Sequence, residues 1–227
     1  MNAVGIIPAR AGSKRLPNKA LLTLAGRPLI AHTCLAARAS EVLTAVYVNT
    51  DSREIAAVAE RFGIPCPVLR PARLAADDTP TRDSNLFLLD FLRQHGERYD
   101  AVVVLQPTSP LRTAQDIQAA WRLFQRHAPC EVVSVSPVAP HGWLGTCGAD
   151  GEWQAWTGRE LVYRLNGAIY IHGWDDYVRD RKPPRSIAYP MPSDRGVDID
   201  THQDLKYAEF LLSHEHGGIV GVSEERT

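Results

Sequence analysis

Acidic side chains are missing from the first forty residues, the earliest being Glu41. The chain of 227 residues is nearly neutral as a whole, at net charge -1, so the gap is local and not a matter of overall composition. That balance argues against broad binding to nucleic acid or to an acidic membrane surface, both of which call for a basic protein. Cysteine is scarce: Cys34, Cys66, Cys130 and Cys147 stand far apart with no Cys-x-x-Cys pair. Free thiols are expected, and neither a zinc site nor a disulfide framework. No apolar run approaches the length of a membrane span. The opening Met1-Asn2-Ala3-Val4 has no basic segment of the kind that starts a signal peptide. Together these absences predict a cytoplasmic protein. The apolar fraction of 44% and charged fraction of 22% fit a globular chain with a substantial core, at a length suited to one α/β domain spanning residues 1–227.

The acid-free stretch holds a cluster of cations. An apolar run, Ala3-Val4-Gly5-Ile6-Ile7-Pro8, leads directly into Ala9-Arg10-Ala11-Gly12-Ser13-Lys14-Arg15-Leu16-Pro17-Asn18-Lys19. Lys14 is not a Walker A lysine, since the upstream glycine of that motif is missing, and no Gly-x-Gly-x-x-Gly turn is present. The sequence instead predicts a turn in which Gly12 allows tight curvature and Ser13 and backbone amides offer donors. Arg10, Lys14 and Lys19 would supply charge-assisted bonds to phosphate oxygens. A polyanion such as a nucleoside triphosphate is the natural partner for this turn; a merely solvated cationic loop is the bland alternative.

Short apolar runs alternate with amphipathic segments along the chain. Val46-Tyr47-Val48, Val102-Val103-Val104-Leu105 and Val132-Val133-Ser134-Val135 read as strands. Helical spacing aligns Ile30, Thr33, Cys34 and Ala37; then Ile55, Val58, Ala59 and Phe62; then Ile117, Ala120, Trp121 and Phe124. Thr113 with Asp116, and Thr201 with Asp204, have capping-box spacing. Such alternation predicts a mostly parallel sheet with helices on both faces, and ligands at the carboxyl ends of its strands. The cationic turn and the Gln106-Pro107-Thr108-Ser109-Pro110 turn should both fall there. Residues 138–190 differ, with four of the five tryptophans (Trp143, Trp153, Trp156, Trp174) and an Asp150-Gly151 hairpin signal. They are expected to form an inserted β-rich flap that pairs with a second subunit, giving a homodimer; the alternative is that the tryptophans complete the same core. Residues 213–227 read as a polar, frayed tail.

Asp198-Ile199-Asp200 places two carboxylates at alternate positions of an extended segment, on one face. Paired carboxylates repel unless a cation lies between them, and joined to a triphosphate turn they suggest a magnesium site. Taken alone, one would cap the helix that follows and the other would be solvated. Asp77-Asp78, being adjacent, diverge and read as loop; His214 and His216, near the tail, do not suggest a metal site.

At this point the chain resembles a known family, the acylneuraminate cytidylyltransferases, or CMP-sialic acid synthetases. The resemblance rests on Ile6 to Lys19 and on four further blocks in the family's order. These are Leu69-Arg70-Pro71-Ala72 with Leu74-Ala75; Leu105 to Arg112; Arg164-Leu165-Asn166-Gly167-Ala168-Ile169-Tyr170-Ile171; and Val197 to Thr201. It implies a three-layer, Rossmann-like α/β nucleotide-binding domain with a dimerisation flap. It also implies transfer of CMP from CTP to the anomeric hydroxyl of a nine-carbon 2-keto acid sugar, with release of pyrophosphate. On this likeness Arg10, Ser13, Lys14 and Lys19 would hold the triphosphate, and Arg70 would read the cytosine. The Thr79–Thr81 loop would lie along base and ribose. Gln106, Arg164 and Asn166 would face the sugar, and Asp198 and Asp200 would hold Mg2+. The catalytic residues implied are Arg10, Lys19, Asp198 and Asp200. One departure is Ala20, where the family usually has asparagine after the lysine; a lost neutral hydrogen bond costs about 0.5–1.5 kcal/mol, which predicts weaker nucleotide binding. Leu16 to Leu21 leans toward the related CMP-Kdo synthetases, whereas the Gln106 and Asn166 blocks lean toward the sialic acid group. Two rival functions compete with this one: a metal-dependent glycosyltransferase, and a non-catalytic nucleotide-sensing domain.

Overall fold

The computed structural model describes residues 1–13, 15–138, 144–147, 152–155, 157–158 and 161–215. Lys14, Trp143, the Asp150-Gly151 turn, Trp156 and His216 lie outside the described residues. A six-stranded sheet forms the middle layer. Its strands are β1 (Ala3–Pro8), β4 (Ala45–Asn49), β5 (Ala101–Val104), β6 (Glu131–Pro137), β9 (Tyr163–Gly173) and β10 (Ser186–Pro190), in the spatial order β10-β6-β9-β5-β1-β4. β1 pairs in parallel with β4 and β5, and β10 with β6, whereas β9 runs antiparallel between β5 and β6. The sheet is therefore mostly parallel, with one reversed strand inside it. Two small hairpins stand apart: β2 (Thr23–Leu24) with β3 (Arg27–Pro28), and β7 (Gly145–Cys147) with β8 (Trp153–Ala155).

Helices cover both faces. α1 (Leu29–Ala39), α2 (Arg53–Arg61) and α4 (Ala114–His127) bury Ile30, Cys34, Ile55, Val58, Ile117, Trp121 and Phe124 against Ile7, Val103, Ile169 and Ile171 of the sheet. Burying each large apolar side chain is worth about 1.5–3 kcal/mol, so these stripes dominate the packing of that face. On the opposite face α3 (Thr81–Gln94) and α5 (Trp174–Val178) place Leu88, Leu89, Leu92 and Tyr177 against Val4, Ile6, Val102 and Val104. α6 (His202–Glu215) lies beside the cationic turn, where Leu16, Leu24, Leu29, Val197, Ile199 and Ala208 form a third cluster. Both capping boxes form. Thr113 and Asp116 exchange backbone hydrogen bonds at the start of α4, and Thr201 and Asp204 do so at the start of α6.

Three expectations need correction. The 138–190 stretch is not wholly an insertion, because β9 and β10 belong to the central sheet and α5 packs on it. Tyr170, Trp174 and Tyr177 complete the core, whereas Trp153 and Tyr163 are exposed. The tail starts later than residue 213, since α6 continues to Glu215. Gly12 has an ordinary φ and open space where a Cβ would lie, so neither curvature nor crowding demands glycine there.

Candidate active site

A cavity of about 330 Å³ opens at the carboxyl ends of β1 and β5. Arg10, Ser13 and Lys19 from the turn after β1 line it, with Gln106 and Thr108 from the turn after β5. Arg70, Thr79 and Thr81 form another wall, and Asp198 and Asp200 close it from the segment before α6. The topology explains the convergence. β1 and β5 are parallel neighbours, so their exits face the same end of the sheet, and Ile199 N donates to the Thr108 carbonyl at 2.7 Å, tying the acidic segment to the second turn.

Each cation has a defined setting. Arg10 Nη1 pairs with Asp77 Oδ1 at 2.8 Å and donates to the Ala76 carbonyl at 3.1 Å, clasping the loop before α3. Lys19 Nζ donates to Asp200 Oδ1 at 2.8 Å and to the Ile199 carbonyl at 2.9 Å. Arg15 Nη1 reaches Asp200 Oδ2 at 2.8 Å. Arg70 is buried, with Nη2 3.5 Å from Asp51 Oδ1 and Nε without a hydrogen-bond partner among the described residues. Burial lowers the Arg70 pKa against the pull of Asp51. A buried guanidinium N–H without an acceptor is costly, and an acceptor on a ligand would relieve it.

Asp198 is the other incomplete group. Its Oδ1 is buried and has no hydrogen-bond partner among the described residues. Burial raises its pKa, opposed by a hydrogen bond with the Thr108 side chain and aggravated by the neighbouring Asp200. An orphaned carboxylate oxygen beside a second carboxylate fits a hard divalent cation. No cluster of three or more histidine, cysteine or acidic residues suited to a metal exists among the described residues. The two aspartates would therefore leave most ligand positions to phosphate oxygens and water, which is the usual magnesium arrangement.

Arg164 and Asn166 do not line this cavity. Arg164 is exposed on β9 opposite Ser136, and Lys14 lies outside the described residues. Asn166 is buried with its side chain fully engaged: Ser134 Oγ and Ala168 N donate to Oδ1 at 2.6 and 3.1 Å, while Nδ2 donates to Ser136 Oγ at 3.0 Å. It stitches β6 to β9 where their register shifts, which holds it outside the cavity lining.

Sequence reasoning missed several residues. Asp77, read as plain loop, lines the cavity and pairs with Arg10. Arg15, left out of the expected site, shares Asp200 with Lys19. Arg112 is buried, within the field of the Asp116 carboxylate; Nη1 donates to the carbonyls of Ala168 at 2.6 Å and Gln106 at 3.3 Å, and Nη2 to Thr33 Oγ1 at 2.7 Å. It thereby pins the start of the turn that carries Gln106 and Thr108. A long basic residue closing a proline-bounded turn was the available signal.

With this geometry in place, the comparisons are specific. Residues 4–138 match the family model described as Cytidylyltransferase. The chain is 34% identical over 234 residues to CMP-N,N'-diacetyllegionaminic acid synthase of Legionella pneumophila, covering 97% of this chain and 100% of that protein. It is 35% identical over 219 residues to N-acylneuraminate cytidylyltransferase of Streptococcus agalactiae, covering 90% of this chain and 52% of that longer protein. Among solved structures, a CMP:2-keto-3-deoxy-manno-octonic acid synthetase complexed with CTP superposes with a TM-score of 0.73 at 18% identity, covering 95% of this chain and 100% of the other.

Proposed function

This chain belongs to the cytidylyltransferase family, and on that premise we propose that it transfers CMP from CTP to the anomeric hydroxyl of a nonulosonic, sialic-acid-like sugar, releasing pyrophosphate. The observation that carries the reading is the single cavity in which the first-strand cations face the Asp198 and Asp200 pair. Phosphoryl transfer depends mainly on positioning and on neutralising charge, and this cavity supplies both. Arg10, Ser13 and Lys19 hold the triphosphate, while Arg70 offers its unpaired Nε to the base. Thr79 and Thr81 flank the same end of the cavity. Gln106, at the opposite turn, orients the sugar. Asp198 and Asp200 would hold Mg2+, which would supply neutralisation of phosphate charge.

Identity favours a nonulosonic acid over Kdo as acceptor, because the relatives at 34–35% identity are named for the former and the Kdo enzyme is a fold neighbour at 18%. The protein acts in the cytoplasm as a homodimer, in keeping with the exposed apolar residues on the outer part of β9. The direct test is pyrophosphate release with Mg2+, each of the four nucleoside triphosphates and a panel of keto-acid sugars including Kdo. The expected outcome is turnover with CTP only and with a nonulosonic acid only. Tight CTP binding without product for any sugar would favour a nucleotide-sensing role. Consumption of a nucleotide sugar instead would favour a glycosyltransferase.

A further inference from the structure

Both oxygens of Asp200 are engaged by cations of the turn after β1. Oδ1 accepts from Lys19 Nζ at 2.8 Å, and Oδ2 from Arg15 Nη1 at 2.8 Å. The Lys19 pairing is half-buried, with Lys19 16% and Asp200 37% exposed, so solvent screens it only in part, whereas Arg15 is 70% exposed and its pairing is the more screened of the two. Asp204 holds the carboxylate's own backbone in place by accepting from Asp200 N at 3.0 Å. On the proposed function, this same carboxylate is a ligand for the divalent cation and Lys19 faces the triphosphate, while Arg15 stands outside the cavity lining and reaches it through Asp200. One set of charges therefore has two exclusive arrangements.

We propose that in the metal-free chain Asp200 competes with the triphosphate for Lys19 and Arg15, so that divalent cation and nucleotide bind with positive coupling. A cation seated on Asp200 loosens its grip on Lys19 and Arg15 and frees them for phosphate oxygens. A triphosphate that draws those side chains away leaves Asp200 uncompensated beside Asp198, which attracts the cation. Linkage makes the two effects equal in binding free energy. Arg15 thereby joins the phosphate-binding set. The inference rests on the proposed function in taking this cavity as a triphosphate site and Asp200 as a ligand of the divalent cation.

The test is calorimetric titration of CTP, without sugar, into the full chain in EDTA and again in Mg2+. The distinguishing variant is Asp200→Asn, with Asp200→Ala as a second variant in case the first fails to fold. Asp180→Asn serves as a control for net charge, since Asp180 pairs with Arg82 on α3 and does not line the cavity. In EDTA, Asp200→Asn should bind CTP at least about 3-fold tighter than wild type, within the usual range for coupled sites. In Mg2+ the order should reverse. A variant no tighter than wild type in EDTA, or an equal gain from Asp180→Asn, would overturn the coupling. If wild type makes product from CTP yet shows no such inversion, the coupling alone fails. If wild type binds no CTP in either buffer, the proposed function fails with it.

Discussion

Asp116 is 1% exposed and still charged. Burial alone would raise its pKa, but hydrogen bonds from Arg195, Thr113 and Tyr189 outweigh that and hold it below the usual carboxylate range. Arg195 forks onto both oxygens, Nε to Oδ2 at 3.0 Å and Nη2 to Oδ1 at 3.1 Å. Three residues further on lies Asp198, so the fork fixes the path by which the acidic pair reaches the cavity. Because the folded-state pKa is depressed, the stabilisation is present in full above the unfolded value near 3.9 and fades as pH falls through the folded value. Asp116→Asn should therefore destabilise the protein by about 2–3 kcal/mol at pH 7, less than a fully enclosed pair because Arg195 is partly exposed. Denaturant melts of both proteins at several pH values check this. The gap should begin to narrow only below about pH 4 and close once the pH lies below the depressed folded-state value; a gap that does not narrow at all on acidification would assign the loss to packing and not to charge.

Among the elements, β9 seats Gln106, a side chain that lines the cavity. Its Gly167 has φ +76, and a Cβ placed there would stand 2.8 Å from Gln106 Oε1. The bare Cα and the left-handed backbone together give the Gln106 amide its seat. Gly167→Ala is expected to raise the sugar KM by about 10-fold or more while changing the CTP KM little, since one displaced polar contact is worth roughly 1–3 kcal/mol. In a Gln106→Ala background the same change should add little; an undiminished effect would show that strain at residue 167, and not the amide, is responsible. β9 also shows where the sequence was hard to read. The stripes of α1, α2 and α4 were legible because their apolar residues recur at helical spacing and are buried as that spacing requires. Both capping boxes were legible from side-chain type alone. α3 was not, since Pro80 precedes it without a side-chain cap and its buried face mixes polar Ser84 and Asn85 with Leu88, Leu89 and Leu92. The reversed direction of β9 was hidden for a different reason: a strand buried between two neighbours carries the same run of apolar residues whichever way it runs. In the site, Arg10, Ser13, Lys19 and the Asp198-Asp200 pair could be named from local motifs. Their partners Asp77 and Arg15 acquire meaning only when distant segments meet.

For the whole molecule, the open question of shape is what covers the outer end of the β6–β9 pair. β9 begins beyond the sheet's core, where Leu161 is 72% and Leu165 59% exposed and Tyr163 lies between them. The backbone there is ordered, with Val138 N donating to the Val162 carbonyl at 2.9 Å, so these side chains are presented on a formed ribbon. Trp153 on β8 is exposed as well. Large apolar residues grouped on a rigid β-ribbon favour association, and a ribbon that projects from a sheet can pack against its symmetry copy in a closed two-fold pair. A stable pair of this kind buries about 1,200–2,000 Å² in total, an area that the ribbon and hairpin must supply with help from the sheet edge. The wild-type chain should therefore sediment as a dimer at micromolar concentration. A Leu161→Glu/Leu165→Glu variant should sediment as a folded monomer, with an unchanged far-ultraviolet spectrum, because neither side chain belongs to the described core. A wild-type monomer under those conditions, or a charged variant that remains dimeric, would remove the ribbon from the interface.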